Sequence, residues 1–479
     1  MLCALRKNLY LLSRPLSHNS RTLAPKNESI LMSDLQFRAA YRCSNQCPGE
    51  YPLDALMYQC PQCGDLLEVV HDLTALKQFS AAHWRQIFEQ RYARLSSVYA
   101  GGVWGKKEWI APHVREENIV SFREGATPLA RAPQFAHALK LKQVWVKQCG
   151  TSHTGSFKDL GMTVLVSQVN QMKREGKKIK AVLCASTGDT SAALAAYCAS
   201  AQIPAVVLLP ANKISPAQLI QPIANGALTL GLDTDFDGCM QLVQQLAQQP
   251  DLYLANSMNS LRLEGQKTVA IEIAQQLDWQ TPDWVILPGG NLGNVAAVGN
   301  GFLMLRELGL IERLPRLVCA QAEHANPLYT SFQNGFRDFQ AKPAQATLAS
   351  AIQIGRPVSY KKAIKVLRTF DGIVEQAQEN ELADAAALAD RDGLFCCPQT
   401  GVALAALRKL AQAGVMQHEE RVVVISTASG LKFVDFKIGY HQNTLSEITS
   451  RHANRVQLLA PNLEHVNEAI TRFAAARNS

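Results

Sequence analysis

Residues 152–159, SHTGSFKD, form a turn of small residues around Lys158, and an apolar helix is predicted to begin there. About 130 residues later, residues 288–294, PGGNLGN, form a glycine-rich turn after an apolar run. A lysine amine in such a position can form a Schiff base with an aldehyde, and the N–H groups of a glycine-rich turn can cradle a phosphate. Together the two turns predict a site for a phosphorylated aldehyde cofactor, pyridoxal 5′-phosphate. The alternative for Lys158 alone is a surface lysine that caps a helix.

From residue 120 onwards, strand-like and helix-like segments alternate. The predicted helices include 159–173 and 191–200. The predicted strands are largely apolar segments at 144–147, 181–184, 204–209, 227–232, 284–287 and 421–426. Such runs are typical of strands buried on both faces, as in parallel sheets covered by helices. The fold class is therefore α/β, with a ligand site expected where strand ends meet helix starts.

Two further polar turns follow predicted strands, ASTGDTS at 185–191 and STASG at 426–430. Another polar cluster is NSMNSLR at 256–262, in which Arg262 suits an oxyanion or a phosphate. One such turn could merely cap a helix. Together with Lys158 and the glycine-rich turn, they favour a ligand site over a purely structural role. The glycine-rich turn is not a nucleotide-binding P-loop, because no Gly-Lys-Ser/Thr follows it.

Composition narrows the function classes. A chain of 479 residues is expected to form two or three domains, and no apolar run approaches the roughly 18 residues that span a bilayer. The net charge is +8, but about half of the excess lies in residues 1–31, so a nucleic-acid partner is not favoured. We expect no membrane partner either.

Residues 1–31 are rich in Ser, Leu and Arg and hold one acid, Glu28. This composition is typical of an organellar transit peptide. The alternative is that the start codon has been assigned too far upstream and that Met32 is the true first residue. We favour this alternative because the next recognisable element begins soon after Met32. The expected location is therefore the cytoplasm, with an organelle as the alternative.

Four cysteines form two close pairs, Cys43 with Cys47 and Cys60 with Cys63, separated by twelve residues. This spacing predicts a zinc ribbon with four thiolate ligands at residues 32–75, and a closed four-thiolate site favours a structural Zn²⁺ over a catalytic one. The alternative is a module that has lost its metal. Seven further cysteines lie in or beside apolar segments, where cysteine behaves as a small hydrophobe: Cys149, Cys184, Cys198, Cys239, Cys319, Cys396 and Cys397.

The turns resemble those of the threonine synthase family, in its plant-type branch, in both order and spacing. The matching segments are 152–159, 185–191, 256–268, 289–294, ASAIQIG at 349–355 and CPQTGVA at 397–403. The resemblance runs from about residue 66 to about residue 455 and is specific to this family within the tryptophan-synthase-β-like enzymes. It implies a fold-type II enzyme at residues 76–479, with two interleaved α/β subdomains and pyridoxal phosphate between them. It also implies that O-phospho-L-homoserine and water are converted to L-threonine and phosphate.

The resemblance also implies roles for individual residues. Lys158 would hold the cofactor and, once released, move protons at Cα, Cβ and Cγ. Asp189 would neighbour the cofactor's 3′-oxygen and Thr427 its pyridine nitrogen. The cofactor phosphate would be bound by Gly289, Gly290, Asn291, Leu292, Gly293 and Asn294. The substrate's carboxylate and phosphate would be shared among Ser186, Thr187, Thr190, Asn256, Ser257 and Arg262.

The resemblance says less about activation by S-adenosylmethionine and about the oligomeric state than about the reaction. Plant members are activated by S-adenosylmethionine, and residues 99–109 are similar to part of that regulatory region. However, residues 124–129 follow the unregulated pattern and the four cysteines are of the bacterial kind, so activation is the less favoured expectation. Family members are mostly dimers, which implies a homodimer. Two alternatives stay open: a threonine dehydratase-like lyase, and a non-catalytic synthase-like protein that binds partners through its ribbon.

Overall fold

Helices and strands are described for residues 37–478, apart from residue 95 and residues 212–215, in a computed structural model of the chain. Residues 1–31 and Met32, on which the leader prediction depends, lie outside the described residues. The strands are β1 (Ala39–Cys43), β2 (Glu50–Tyr51), β3 (Leu67–His71), β4 (Leu129–Arg131), β5 (Gln143–Gln148), β6 (Ala181–Ala185), β7 (Ala205–Pro210), β8 (Leu228–Leu232), β9 (Leu252–Leu254), β10 (Trp284–Pro288), β11 (Arg316–Ala322), β12 (Ile373–Ala377) and β13 (Arg421–Ser426).

The helices are α1 (Leu73–Leu76), α2 (Ala81–Ala93), α3 (Lys107–Ile110), α4 (Pro133–Ala138), α5 (Lys158–Arg174), α6 (Asp189–Ser200), α7 (Pro216–Ala224), α8 (Phe236–Leu246), α9 (Leu261–Gln266), α10 (Thr268–Gln276), α11 (Gly293–Glu307), α12 (Pro327–Gln333), α13 (Tyr360–Thr369), α14 (Glu379–Asp390), α15 (Pro398–Gln412), α16 (Val434–Gln442) and α17 (Leu463–Asn478). None of the described helices is both long and apolar enough to cross a membrane.

Two mainly parallel sheets carry most of the strands. In the described part of the chain, one has the order β12-β11-β10-β13-β5-β4 and is parallel except for β4. The other has the parallel order β8-β7-β6-β9. Strands β6 to β9 come between β5 and β10 in the chain, so the two sheets interleave along the sequence. The prediction of an α/β fold with parallel sheets is confirmed.

Uninterrupted apolar runs formed strands covered on both faces. Every residue of β6 and β10 is buried, and the predicted runs at 144–147 and 421–426 form β5 and β13. Strand β8 differs from the prediction of a fully covered strand, because it is an edge strand with Leu228 56% exposed. The seven cysteines predicted to behave as small hydrophobes are all buried, as expected.

Two glycines bring helices α5 and α9 into backbone contact. A Cβ atom at Gly265 would lie 1.7 Å from the carbonyl oxygen of Leu160, and one at Gly161 would lie 2.7 Å from that of Arg262. No side chain fits at either position. The head of α5, which carries Lys158, is thereby held close to the helix that carries Arg262.

Residues near the N-terminus of the described chain form a three-stranded antiparallel sheet in the order β2-β1-β3. Cys43 is the last residue of β1, and Cys60 and Cys63 precede β3. The main-chain carbonyl oxygen of Leu67 in β3 accepts hydrogen bonds from Ser260 and from Lys362. This small sheet therefore lies directly against the segments that begin α9 and α13.

Candidate active site

A cleft of about 1140 Å³ opens where the carboxyl ends of strands from both sheets meet. Residues after β6, β9, β10 and β13 line it, as does the head of α5. The ends of parallel strands are the expected location of a ligand site in α/β folds. Most of the predicted site residues line this cleft: Lys158, Ser186, Thr187, Asp189, Thr190, Asn256, Ser257, Arg262, Gly290, Asn291, Leu292, Gly293, Asn294 and Thr427.

Lys158 is the first residue of α5, and its position is fixed from both sides. The N–H of Phe157 donates to the carbonyl oxygen of Thr427 over 2.8 Å. The carboxylate of Asp159 accepts from the N–H and the hydroxyl of Thr154, at 2.7 and 2.5 Å. These bonds tie the turn before α5 to the end of β13, so that the Lys158 side chain enters the cleft.

The amine of Lys158 is tuned towards its neutral form. Burial, followed by the positive charge of Arg262, lowers the pKa of Lys158 to about 8, and the carboxylate of Asp189 opposes this shift. The ordinary value for lysine is 10.5. A neutral amine is the form that can attack an aldehyde or accept a proton from carbon. The Lys158 side chain is therefore chemically suited to both tasks.

The glycine-rich turn offers unused donors to the cleft. Leu292 has φ +66° and caps α11 without a side-chain hydrogen bond. The N–H groups of residues 290–294 have no acceptor among the described residues. A Cβ atom at Gly290 would lie 3.0 Å from Ile352, so the backbone itself lines the cleft. Free N–H groups at a helix N-terminus bind phosphate, so the residues present fit a phosphorylated cofactor.

Gly289, predicted as part of the phosphate site, does not line the cleft. Its N–H donates to the carbonyl oxygen of Ala320 at 2.7 Å, and its own carbonyl oxygen accepts from Gln321 at 3.3 Å. A Cβ atom there would lie 2.4 Å from the sulfur of Cys319. Gly289 therefore ties the turn to β11, and the unused N–H groups belong to the residues that follow it.

Thr427 stands at the end of β13 within a chain of hydroxyl and thiol groups. Its N–H donates to the hydroxyl of Thr400 at 3.3 Å, and its own hydroxyl oxygen lies 3.8 Å from the sulfur of Cys397. The hydroxyl of Thr400 in turn donates to that of Ser426 at 3.2 Å. These contacts orient Thr427 towards the cleft and present a neutral hydroxyl to a ligand.

Asp189 begins α6 and has a cationic neighbour that the sequence did not reveal. The ammonium group of Lys432 lies 3.4 Å from the carboxylate of Asp189. The same ammonium donates to the carbonyl oxygen of Thr154 at 3.0 Å and to the side chain of Gln221 at 2.6 Å. Lys432 therefore holds a fixed positive charge beside the carboxylate that was predicted to neighbour the cofactor's 3′-oxygen.

Arg262 provides the buried positive charge of the cleft. Its side chain is 2% exposed, and it donates to the carbonyl oxygen of Ala255 at 3.0 Å and to the hydroxyl of Thr190 at 3.3 Å. The Nε atom has no hydrogen-bond partner among the described residues. Burial lowers the pKa of Arg262 to about 10, so the group still carries its charge at neutral pH. It can accept a further anionic partner.

The two other predicted substrate segments differ in what they offer. Ser186 accepts hydrogen bonds from the N–H groups of Gly188 and Ser191, at 3.2 and 3.3 Å, and so shapes the turn before α6. The amide of Asn256 is engaged on both sides with the backbone of Ala185, at 2.9 Å each. Asn256 thus joins β9 to β6, although it also lines the cleft.

Gln399 belongs to the sequence motif at 397–403, which by itself predicts no role for it. It is 2% exposed and lines the cleft, and neither its Oε1 nor its Nε2 has a partner among the described residues. A buried amide without partners is costly unless a ligand satisfies it. No signal in a single sequence distinguishes this glutamine from one that faces a neighbouring helix.

The segment that resembles a regulatory region, residues 99–109, is packed into the protein. Trp104 and Lys106 are buried, and the indole of Trp104 donates to the hydroxyl of Thr163 at 2.7 Å. Trp109 packs edge-on against Trp84. In the described structure this segment packs against α5 through the contact of Trp104 with Thr163.

Comparisons with known proteins agree with this geometry. Residues 120–428 match the family model described as "Pyridoxal-phosphate dependent enzyme". The chain is 56% identical over 406 residues to "Threonine synthase 2, chloroplastic" of Arabidopsis thaliana, covering 84% of this chain and 78% of that protein. It is 38% identical over 394 residues to the threonine synthase of Methanocaldococcus jannaschii, covering 82% of this chain and 93% of that protein.

Solved structures show the same fold at lower identity. The crystal structure of threonine synthase from Escherichia coli has a TM-score of 0.64 at 20% identity, and the match covers 91% of this chain and 100% of that one. Threonine deaminase isoform 2 from Solanum lycopersicum has a TM-score of 0.54 at 17% identity, covering 65% of this chain and 87% of that one.

Proposed function

The chain belongs to the threonine synthase family of pyridoxal-phosphate-dependent enzymes, and from this premise we propose how its cleft residues divide the reaction. The enzyme is a carbon–oxygen lyase that acts on a phosphate ester. It converts O-phospho-L-homoserine and water to L-threonine and phosphate. The carrying observation is that one cleft holds two separate anion-binding groups around Lys158: the free N–H groups of residues 290–294, and Arg262 with Thr190.

These two groups suit two different anions. The N–H groups at the start of α11 would bind the cofactor phosphate, and the Lys158 amine would hold the cofactor at its aldehyde group. Arg262, Thr190, Ser186, Thr187, Ser257 and Asn256 share the carboxylate and the phosphate of the substrate. A guanidinium with a free Nε and a neighbouring hydroxyl suits a phosphate ester. A lyase acting on threonine itself would have no second phosphate to bind, which weighs against the dehydratase alternative.

Lys158 is the residue that transfers protons to and from the substrate carbons. The phosphate leaves from Cγ while water adds at Cβ, so protons must move at Cα, Cβ and Cγ of one substrate. Pyridoxal phosphate, when bound, supplies an electron sink conjugated to Cα. The Lys158 amine, with its pKa lowered to about 8, is able both to accept and to return those protons. A positioned base of this kind contributes about 10²–10⁴-fold to the rate.

Lys432, which also lines the cleft, is poorly placed for that role. The ammonium of Lys432 is engaged by Asp189, Thr154 and Gln221. It is therefore held as a fixed charge, in contrast to Lys158, whose amine has no hydrogen-bond acceptor among the described residues. With the cofactor bound, Asp189 would neighbour its 3′-oxygen, and Thr427 would offer the ring nitrogen a neutral hydroxyl, which would not protonate it.

Assembly, regulation and location stay predictions. We propose a homodimer, from the family resemblance. Activation by S-adenosylmethionine stays the less favoured expectation, and the packing of residues 99–109 gives it no added support. The Arabidopsis relative is described as chloroplastic, which fits the organelle alternative for residues 1–31.

Product analysis tests the proposal. Purified protein loaded with pyridoxal phosphate is incubated with O-phospho-L-homoserine, and phosphate, threonine and 2-oxobutyrate are quantified together. We expect equal amounts of phosphate and threonine and little 2-oxobutyrate. Phosphate accompanied mainly by 2-oxobutyrate would mean that a lytic reaction dominates, and release of 2-oxobutyrate from threonine alone would favour the dehydratase alternative.

A further inference from the structure

The four ribbon cysteines form a compact sulfur cluster. Their Sγ atoms all lie within 4.8 Å of one another, and those of Cys43 and Cys63 are 3.4 Å apart. Tetrahedral binding with Zn–S bonds of about 2.3 Å places sulfurs about 3.8 Å apart, so the cluster has the size of a metal site. All four are free cysteines, and 3.4 Å is much longer than the roughly 2.0 Å of a disulfide.

The backbone around the cluster is shaped as two metal-binding knuckles. The N–H of Asn45 donates to the sulfur of Cys43 at 3.3 Å, and the N–H of Gly64 donates to the carbonyl oxygen of Cys60 at 2.9 Å. Gly64 has φ +73°, a conformation that favours glycine and lets the chain turn directly after Cys63. N–H groups that point at ligand sulfurs are the outer contacts that orient thiolates in metal sites.

The chain that leaves the second knuckle contacts the segments that begin α9 and α13. Asp65, two residues after Cys63, pairs with Lys361 at 2.6 Å. The carbonyl oxygen of Leu67 accepts from the hydroxyl of Ser260 and, at 2.6 Å, from the ammonium of Lys362. These contacts fix the residue immediately before α9 and two residues of α13.

Farther along β3, its last residue, His71, makes a second contact with α9, at Glu264. His71 Nε2 lies 2.6 Å from the carboxylate of Glu264, which also accepts from Lys267 at 2.5 Å. His71 and Glu264 side chains are each 5% exposed. Arg262 lies between Ser260 and Glu264 in sequence, so both flanks of the arginine are bonded to the strand that follows the cysteines.

The contacts of residues 65–71 with α9 and α13, here called the junction, also connect to the glycine-rich turn on the cofactor side, but less directly. Lys362 and Lys361 belong to α13, and the residue before that helix, Ser359, donates its N–H to the carbonyl oxygen of Asn291 at 3.2 Å. The glycine-rich turn has its own support from β11, through Gly289. A disturbance of the ribbon should therefore affect Arg262 more than the cofactor cradle.

We propose that Cys43, Cys47, Cys60 and Cys63 bind one Zn²⁺ ion, and that this ion positions Arg262 for the phosphorylated substrate. The ion has four thiolates and no open ligand position, so it takes no part in the chemistry. It fixes the end of β1 to the start of β3, and β3 holds α9. The metal site stands on the cysteine geometry alone, whereas its coupling to substrate binding rests on the proposed function.

Metal analysis of the full-length, cofactor-loaded protein comes first, since it needs no activity. We expect about one zinc per chain in the wild type and in Cys198→Ser, a buried cysteine outside the cluster, and none in Cys60→Ser. Less than a tenth of an equivalent of zinc, after purification without chelators in zinc-supplemented medium, would overturn the site. An equivalent of iron in place of zinc would overturn the identity of the ion.

The coupling is tested with Lys362→Met, which breaks the junction but leaves every cysteine in place. It should retain one zinc per chain and its full content of pyridoxal phosphate, while the KM for O-phospho-L-homoserine rises about tenfold or more with a smaller change in kcat. Removal of zinc from the wild type by a chelator should raise KM in the same way, which covers the case that Cys60→Ser does not fold. Unchanged KM in both would overturn the coupling. Substrate binding followed through the cofactor's absorbance gives the same comparison even if turnover is absent, so this failure is distinct from failure of the proposed function.

Discussion

In the cofactor-free protein, Lys158 should react with an aldehyde at a much lower pH than an ordinary lysine. Its pKa of about 8 means that about a quarter of the amine is neutral at pH 7.5. With the ordinary value of 10.5, only about one amine in a thousand would be neutral at that pH. The difference is more than a hundredfold in the concentration of the reactive form.

The charges of Arg262 and Asp189 predict in which direction the pH midpoint moves when either is removed. Burial is the main cause of the lowered pKa of Lys158, Arg262 lowers it further, and Asp189 raises it. Arg262→Gln should therefore move the pH midpoint of the reaction upwards, and Asp189→Asn should move it downwards. Lys180→Ala, which removes an exposed lysine just before β6, should leave it unchanged.

The assay is the initial rate of imine formation between the stripped protein and pyridoxal, followed by absorbance from pH 6.5 to pH 10.5. The ionisation of pyridoxal itself is common to every variant, so shifts of the midpoint between variants report on the amine. The wild type should show a midpoint near pH 8. A midpoint near 10.5, or shifts of the two charge variants in the same direction, would refute the reasoning that burial and Arg262 tune this amine.

Three further predictions concern packing, a buried ion pair and the unpartnered amide. Gly265→Ala should separate α5 from α9 and reduce soluble, cofactor-containing protein, because its Cβ would collide with the carbonyl oxygen of Leu160; cofactor content per chain reports this. Lys147→Met should destabilise the fold by about 3–5 kcal/mol in urea unfolding, because it leaves the buried carboxylate of Glu272 without its partner at 2.5 Å, and adding Glu272→Gln should recover part of the loss. Gln399→Leu should leave the urea midpoint of the cofactor-free protein unchanged or higher, yet weaken substrate or cofactor binding about three- to tenfold, the equivalent of one hydrogen bond; unchanged binding would mean that the amide meets no ligand.

The sheet core was predictable because its strands are uninterrupted apolar runs. Strands β6, β10 and β13 are central in their sheets and covered on both faces, so nearly every side chain in them is apolar. The sequence analysis did not predict β4, β9, β11 and β12. Strands β4 and β9 span three residues each, and β12 is a sheet edge with two polar residues, so these three show no extended apolar run. Strand β11 does contain a buried apolar run, at residues 317–320, which the sequence analysis missed.

The site was predictable where its chemistry follows strand ends. Lys158, Arg262 and the turn at 290–294 lie in one cleft because the carboxyl ends of parallel strands share an edge. What a sequence cannot supply is the partner of each polar group. The N–H of Gly289 is taken by Ala320, and Lys432 is bonded to Asp189 through a contact that spans more than 200 residues.

Stoichiometric formation of threonine and phosphate from O-phospho-L-homoserine, compared between the wild type and Lys158→Ala, tests the central claim most directly. Lys180→Ala serves as the matched control. We predict equal amounts of both products in the wild type and the control, and loss of both in Lys158→Ala. Substantial threonine formation by Lys158→Ala, or no turnover by a wild-type protein that shows the absorbance band of bound cofactor, would contradict the account.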